Sequence, residues 1–514
     1  MIDLAIVVIY FLVVFITAIS GKQGKDVSAD EYFLSSRSLK WPSIAFSTIA
    51  TNIQGYQFLG MMGSAYLYGL AQASLEINAI QGILMGAFIF VPIFLKDRVT
   101  TITQFIKARL GKTMGLIYSL SNIFIFSTIT LGAALFWGAY SADIVFGEYL
   151  SFLHEDRLIR VAILVIGLGL FSAIYTYFGG LSAVVKTDII QFFILLTGGA
   201  IVMFVAIHQL GGWSQLYVKT GDLMHLHLPA DHETLPWPHI FGLFLLNINY
   251  WCFNQSVVQR SLAAKSLKDA QIGLMVGGVM KYVMACLIVI PGIALVGILG
   301  ANGLEDPDMS FPYLVNTYLP VGLKGLILCA LFASLMSTVD STYNSIATLW
   351  SIDIYKVYIN KKATEQEIVN VGKRAILMAF ISSSVIGIVL LYIKFQDSGV
   401  AFTHTLNELR YYINCGIVVI GCSAVFLIAP KQKAAVIAFF ATFVAHLVIK
   451  GFFPEINYFV RAMWVIIIGF GLAWGLSLTK FVNLKSLIVS DSKQNSILGF
   501  ALLASLIITH ILFH

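Results

Sequence analysis

Apolar runs recur along nearly the whole chain, near residues 3–20, 41–66, 71–95, 114–146, 159–178, 184–208, 238–257, 270–300, 323–352, 372–394, 400–429, 433–450, 457–479 and 495–513. A helix rises about 1.5 Å per residue, so about 20 apolar residues cross the hydrocarbon core of a bilayer. The pattern therefore predicts an all-α polytopic membrane protein with about fourteen transmembrane helices. Most connections are short. The longest polar one, about 209–237, contains Gly211, Gly212, Pro229 and Pro236 and leaves no room for a soluble domain. The stretch 101-TITQFIKARLGK-112 is amphipathic and basic, which predicts a scaffold helix along the inner surface.

Two runs are polar in their middles. The second holds 50-ATNIQGYQFLG-60 and the seventh 247-NINYWCFNQ-255. Five helices separate them, the spacing expected of inverted five-helix repeats that each begin with a broken helix. The corresponding division is an extra N-terminal helix and inner loop over 1–40, a first repeat over 41–210, a second over 238–430 and peripheral C-terminal helices over 431–514. A break at membrane depth exposes carbonyls, which then need a ligand, water or a cation.

A third stretch, 334-SLMSTVDSTYNS-345, lies inside the apolar run that begins near Leu323. At helical periodicity Ser334, Ser337, Thr338, Ser341, Ser345 and Thr348 share a stripe roughly 100° wide, with Asp340 just beside it. Single hydroxyls in such a helix usually return to the backbone or allow close packing. A ladder of them beside an intramembrane carboxylate points instead to half of a cation site.

Composition sharpens this picture. Of 514 residues, 58% are hydrophobic and only 11% charged, outside the range of soluble domains. The net charge of +6 suggests an anionic partner at first sight, but its distribution is topological and no nucleic acid is expected. Basic residues gather on alternate connections, at Lys22, Lys25, Arg37 and Lys40, from Lys96 to Lys112, at Arg260, Lys265 and Lys268, and from Lys356 to Arg374. By the positive-inside rule those connections face inward, which puts both termini outside a cell membrane. The opening MIDLAIVVIYFLVVFITAIS lacks a basic start and a cleavage site and reads as a retained helix. The five cysteines, Cys252, Cys286, Cys329, Cys415 and Cys422, sit in or beside apolar runs and predict neither a disulfide framework nor a zinc site.

On 50-ATNIQGYQFLGMMGSAY-66, 179-GGLSAVVKTDIIQ-191, 249-NYWCFNQSVVQRSLAAKSLKDAQ-271 and 341-STYNSIATLWSIDIYK-356, the chain resembles the sodium/solute symporter family, and within it the sodium/sugar cotransporters. The likeness runs from about residue 30 to 430 and weakens in the last three helices. It implies two inverted five-helix repeats, one extra helix before them and further helices after. It also implies a sodium site of main-chain carbonyls at Ala50 and Ile53 with oxygens of Ser334, Ser337 and Thr338. A second sodium site, where family members have one, would use Asp188, Ser337, Asp340 and Ser341, with Asp340 standing in place of the usual Ala, Ser or Thr. The alternative for Asp188 is a solvated residue at a helix start.

For the solute, the resemblance implies hydroxyl contacts from Gln57, Glu76, Asn247 and Lys281, closure from inside by Tyr250, and Asn407 where sugar cotransporters carry Gln. Ala79 replaces a hydroxyl. Glu408 and Arg410 bring charge near a span, Arg410 either facing a water-filled vestibule or pairing with Glu408. Sodium-driven symport of a neutral hexose or polyol by alternating access is the expectation. The alternatives are symport of an acidic sugar or other organic anion held by Arg410, or a membrane sensor or channel. No metal-ligand cluster or nucleophile–base pair points to an enzyme.

Overall fold

The computed structural model describes residues 2–20, 27–396 and 402–514. Lys22 and Lys25 and the start of the 400–429 run lie outside the described residues. All extended structure within them amounts to three isolated bridges; the rest of the regular backbone is helical. Among the described residues, eleven helices are long and apolar enough to cross a membrane, against the fourteen expected, and the difference arises where segments are merged or interrupted. Arg157–Leu210 is one helix of 54 residues, about 80 Å at 1.5 Å per residue and far longer than a bilayer is thick. Gly180 divides it, with φ 53° and ψ −146°. A Cβ at Gly180 would lie 2.3 Å from the Tyr32 carbonyl oxygen, and the Tyr32 hydroxyl donates to the carbonyls of Thr176 (3.1 Å) and Tyr177 (2.9 Å). The bend is thus a backbone-to-backbone contact that only glycine permits.

Both polar runs are broken as expected, and in the same way. The helix Trp41–Asn52 ends at Ile53 with φ −82° and ψ 115°. The helix His239–Ile248 passes into a π-turn over Asn249–Phe253 and ends at Asn254 with φ −85° and ψ 113°. Restart is immediate in both: a π-turn over Gln57–Met61 follows the first break, and Gln255–Leu262, capped by the Asn254 side chain on the Ser256 N–H, follows the second. Interruptions at corresponding places in the two halves fit inverted repeats that each begin with a broken helix.

Around the breaks, Arg157–Leu210 packs along Leu323–Thr348, and Leu267–Leu299 packs along Trp41–Asn52. Gln432–Phe452 and Tyr458–Ser477 pair with each other and with Phe402–Phe426, outside this core. The outermost helices turn large apolar side chains outward, such as Ile9 and Ile16 on Ile2–Ser20 and Phe500 and Ile511 on Lys493–Leu512. Such a surface suits lipid, which is as apolar as those side chains. The amphipathic stretch forms Ile102–Leu110, capped by Thr101 on the Gln104 N–H. Its Arg109 donates to the carbonyls of Ala424 (2.8 Å) and Leu427 (2.9 Å), satisfying the C-terminal end of Phe402–Phe426.

Candidate functional site

In an unbroken helix the Gln54 N–H would donate to the Ala50 carbonyl. Here it donates to Gln57 Oε1 at 2.6 Å, so that intrahelical bond is not made. The next carbonyls meet the hydroxyl ladder instead. Thr338 Oγ1 donates to the Thr51 carbonyl at 3.0 Å, and Ser334 Oγ donates to the Ile53 carbonyl at 3.1 Å. Ala50, Ile53, Ser334, Ser337 and Thr338 are all buried. Two carbonyls at the break, those of Thr51 and Ile53, are thus met by hydroxyls of Leu323–Thr348, while no hydroxyl of that helix meets the Ala50 carbonyl.

Ser337, one residue before Thr338, turns to a different partner: its hydroxyl donates to Asp188 Oδ1. Asp188 is fully buried, so it is not the solvated helix-start residue allowed for above. Its Oδ2 accepts from Ser47 and from Arg260 Nη2, the latter at 3.0 Å. Arg260 further donates through Nε to Ser47 Oγ (2.6 Å), through Nη2 to Thr51 Oγ1 (2.7 Å) and Ser341 Oγ, and through Nη1 to the Ser256 carbonyl. Asp340 sits beyond Ser341, accepting from Ser341 Oγ at 3.2 Å and from the Tyr175 hydroxyl at 2.5 Å.

The residues expected at a second sodium site lie close together. Asp188, Ser337, Asp340 and Ser341 do join one network, but the cation among them is the Arg260 guanidinium. Asp188 already has its counter-charge, and a second ion there would face a like charge at close range. Arg260 itself is not the loop charge assumed above, for its side chain is 1% exposed.

On the other side of the first break lies a cavity of about 590 Å³. Gln57, Glu76, Asn247, Tyr250, Lys281 and Asn407, all expected at the solute site, line it together with Ala79. Glu76 accepts from Gln57 Nε2 at 2.6 Å and forms an ion pair with Lys281 Nζ, which also donates to Asn52 Oδ1 at 2.5 Å. Two ionisable groups that would be prohibitive alone thus offset each other. Asn247 spends its Nδ2 on the Asn78 carbonyl (3.1 Å). Tyr56, Trp137, Tyr250 and Trp251 supply flat apolar faces in the same wall.

The alternative that Arg410 pairs with Glu408 does not hold. Glu408 forms ion pairs with Arg461 and with Lys450, the latter at 2.8 Å, whereas Arg410 lines the cavity.

Sequence reasoning missed Arg260, Ser47, Thr51, Asn52 and Tyr175. Arg260, Thr51 and Asn52 lie within stretches that carried the family resemblance, so the signal available was a polar or basic residue beside a helix break. Tyr175 had none.

A family model described as the sodium:solute symporter family matches residues 32–420. The chain is 32% identical over 449 residues to a sodium/glucose cotransporter of Vibrio parahaemolyticus, a match covering 82% of this chain and 79% of that one. Sodium/glucose cotransporter 1 of Ovis aries is 30% identical over 471 residues, covering 83% of this chain and 67% of the relative. Sodium/myo-inositol cotransporter 2 of Mus musculus is 27% identical over 469 residues, covering 84% and 67%. Among solved structures, the substrate-bound outward-open state of a Na+-coupled sialic acid symporter has a TM-score of 0.78 over 93% of this chain and 98% of that chain, at 20% identity. That likeness shows a shared fold.

Proposed function

The chain belongs to the sodium:solute symporter family, a family of multi-pass membrane transporters rather than enzymes for which sodium is the coupling ion, and from that premise we propose that it carries a small polyhydroxylated solute of sugar or polyol type by alternating access. The observation that supports this most is the adjacency of two sites across one helix break. On one side, the carbonyls of Thr51 and Ile53 meet the hydroxyls of Thr338 and Ser334; on the other, Gln57 and the Glu76–Lys281 pair wall the cavity.

Sodium is the transported partner, a hard cation that favours oxygen. The carbonyls of Ala50 and Ile53 with oxygens of Ser334, Ser337 and Thr338 are its binding set. The hydrogen bonds now linking the broken helix to Leu323–Thr348 give way to ion contacts when sodium enters. Binding to neutral oxygens is weak enough for release. The ion ties the two helices together, which favours the state that exposes the solute site and so couples the two fluxes.

The solute's hydroxyls exchange with the bonds among Gln57, Glu76, Lys281 and Asn52, each of which offers both a charged or amide partner and access to the cavity. The aromatic walls take the apolar face of the ring. Asn247, Tyr250 and Asn407 complete the binding set. The residues lining the cavity include Thr234, Asp306 and Lys394, at or beside connections that the charge pattern assigns to the outside, so on this reading the cavity faces outward. The four segments 1–40, 41–210, 238–430 and 431–514 are, on this reading, the leading helix, the two repeats and the peripheral helices, with both termini outside the cell membrane.

Uptake of a labelled sugar and polyol panel by vesicles containing the purified protein, with and without an inward sodium gradient, tests the proposal. Accumulation of at least one member that collapses without the gradient is expected; no sodium-dependent accumulation of any member overturns it.

A further inference from the structure

The wall of the cavity holds one arginine that has no ion-pair partner among the described residues. Arg410, on Phe402–Phe426, lines the main cavity and also a smaller one of about 50 Å³ bounded by Thr51, Asn249 and Thr338. Its guanidinium therefore stands at the floor, between the solute cavity and the helix breaks. Its Nε is buried without a hydrogen-bond partner, and among the described residues no carboxylate lies within ion-pair distance of it. Glu76 is committed to Lys281 and Gln57 and Glu408 to Arg461 and Lys450, and Asp306 and Asp308, which line the same cavity, form no ion pair with it. Around it stand the phenols of Tyr56, Tyr250 and Tyr411, dipoles that ease the charge without cancelling it.

A guanidinium removed from water with no counter-ion costs several kcal/mol, and elsewhere in this molecule buried arginines are paired: Arg160 with Asp143, Arg260 with Asp188, Arg461 with Glu408. Arg410 is the exception among these, and it faces the cavity. We propose that its counter-ion arrives with the solute, so that the transported compound is a sugar acid: a polyhydroxylated carboxylate whose carboxyl group takes the two-pronged contact a guanidinium offers. Its hydroxyls reach the Gln57, Glu76 and Lys281 cluster. A carboxylate fits better than a phosphate, because its single charge matches the single guanidinium of Arg410, Lys281 is already neutralised by Glu76, and the carboxylates of Asp306 and Asp308 in the same wall disfavour a dianion. This rests on the cavity being the solute site of a sodium symporter, and it replaces the neutral hexose expected from the sequence with an anionic relative.

The test is uptake by vesicles containing the full chain under a sodium gradient, with glucose, glucuronate, gluconate, myo-inositol and glucose 6-phosphate as probes. Expected is sodium-driven uptake of a carboxylate with an apparent affinity roughly tenfold to a hundredfold above its neutral parent. Arg410→Gln should erase that preference while leaving the half-saturating sodium concentration unchanged, and Arg410→Lys should retain part of it. Sodium-driven uptake of glucose or inositol with the carboxylates excluded, or of the phosphate in preference to them, overturns the sugar-acid assignment and leaves symport intact. Because the wild-type panel alone separates these outcomes, failure of Arg410→Gln to fold does not rescue the assignment. Absence of sodium-driven uptake for every probe overturns the symport reading as well.

Discussion

Arg260 Nη2 stands 3.0 Å from Asp188 Oδ2, and the two side chains are 1% and 0% exposed. The pair joins the second broken helix to Arg157–Leu210, and through Ser47, Thr51 and Ser341 it also reaches Trp41–Asn52 and Leu323–Thr348. One guanidinium thus links both halves of the core beside the hydroxyl ladder of Leu323–Thr348.

Removing one partner of such a pair leaves the other charged and buried, at about 3–5 kcal/mol. Arg260→Gln is therefore expected to lower the thermal unfolding midpoint of the solubilised protein sharply, and adding Asp188→Asn should restore much of the loss. Equal midpoints for the single and double variants would show that the two charges are not coupled.

Ser334→Ala with Thr338→Ala removes the hydroxyls that meet the Ile53 and Thr51 carbonyls. The half-saturating sodium concentration for uptake should rise at least tenfold, from the loss of about 1 kcal/mol or more per contact. An unchanged sodium titration would move the ion site elsewhere.

With Asp188 already offset by Arg260, and Asp340 engaged by Tyr175 and Ser341, the expected coupling ratio is one sodium per solute. Dual-label flux of sodium and solute measures it directly, and Asp340→Asn should leave the ratio at one. A measured ratio of two would return Asp340 to the ion-binding role first expected for it.

Lys281→Ala and Gln57→Ala each strip a partner from the cavity wall. Solute affinity should fall roughly tenfold to a hundredfold, with sodium affinity changed far less. Parallel loss of both would mean that the substitution disturbs the helix break itself and not the solute site.

Two glycines of one helix offer a contrast in stability. Gly180→Ala forces a Cβ against the Tyr32 carbonyl at positive φ, whereas a Cβ at Gly167 meets nothing within 4 Å. The first should lower the unfolding midpoint by several degrees; the second should leave it unchanged or raise it, because Ala is the better helix former by about 1 kcal/mol. Similar midpoints for both would remove the structural reason given for the bend.

The sequence by itself determined the membrane class, the positions of both helix breaks and the ladder at Ser334, Ser337 and Thr338. Those features are local: hydrophobic run length, a polar interruption in mid-run and a helical stripe are each written within a few turns of chain. Only the tertiary structure decided how the polar groups pair. Arg260 meets Ser47 at a separation of 213 residues and Asp188 at 72, and Glu408 chose Arg461 and Lys450 over its near neighbour Arg410. Within a bilayer, no water is at hand to satisfy a buried charge, so each one is settled by whichever partner the helix packing brings within 3 Å. That choice follows from crossing helices far apart in the chain, and it is what turned an apparent loop arginine into the centre of the core and left Arg410 open to a ligand.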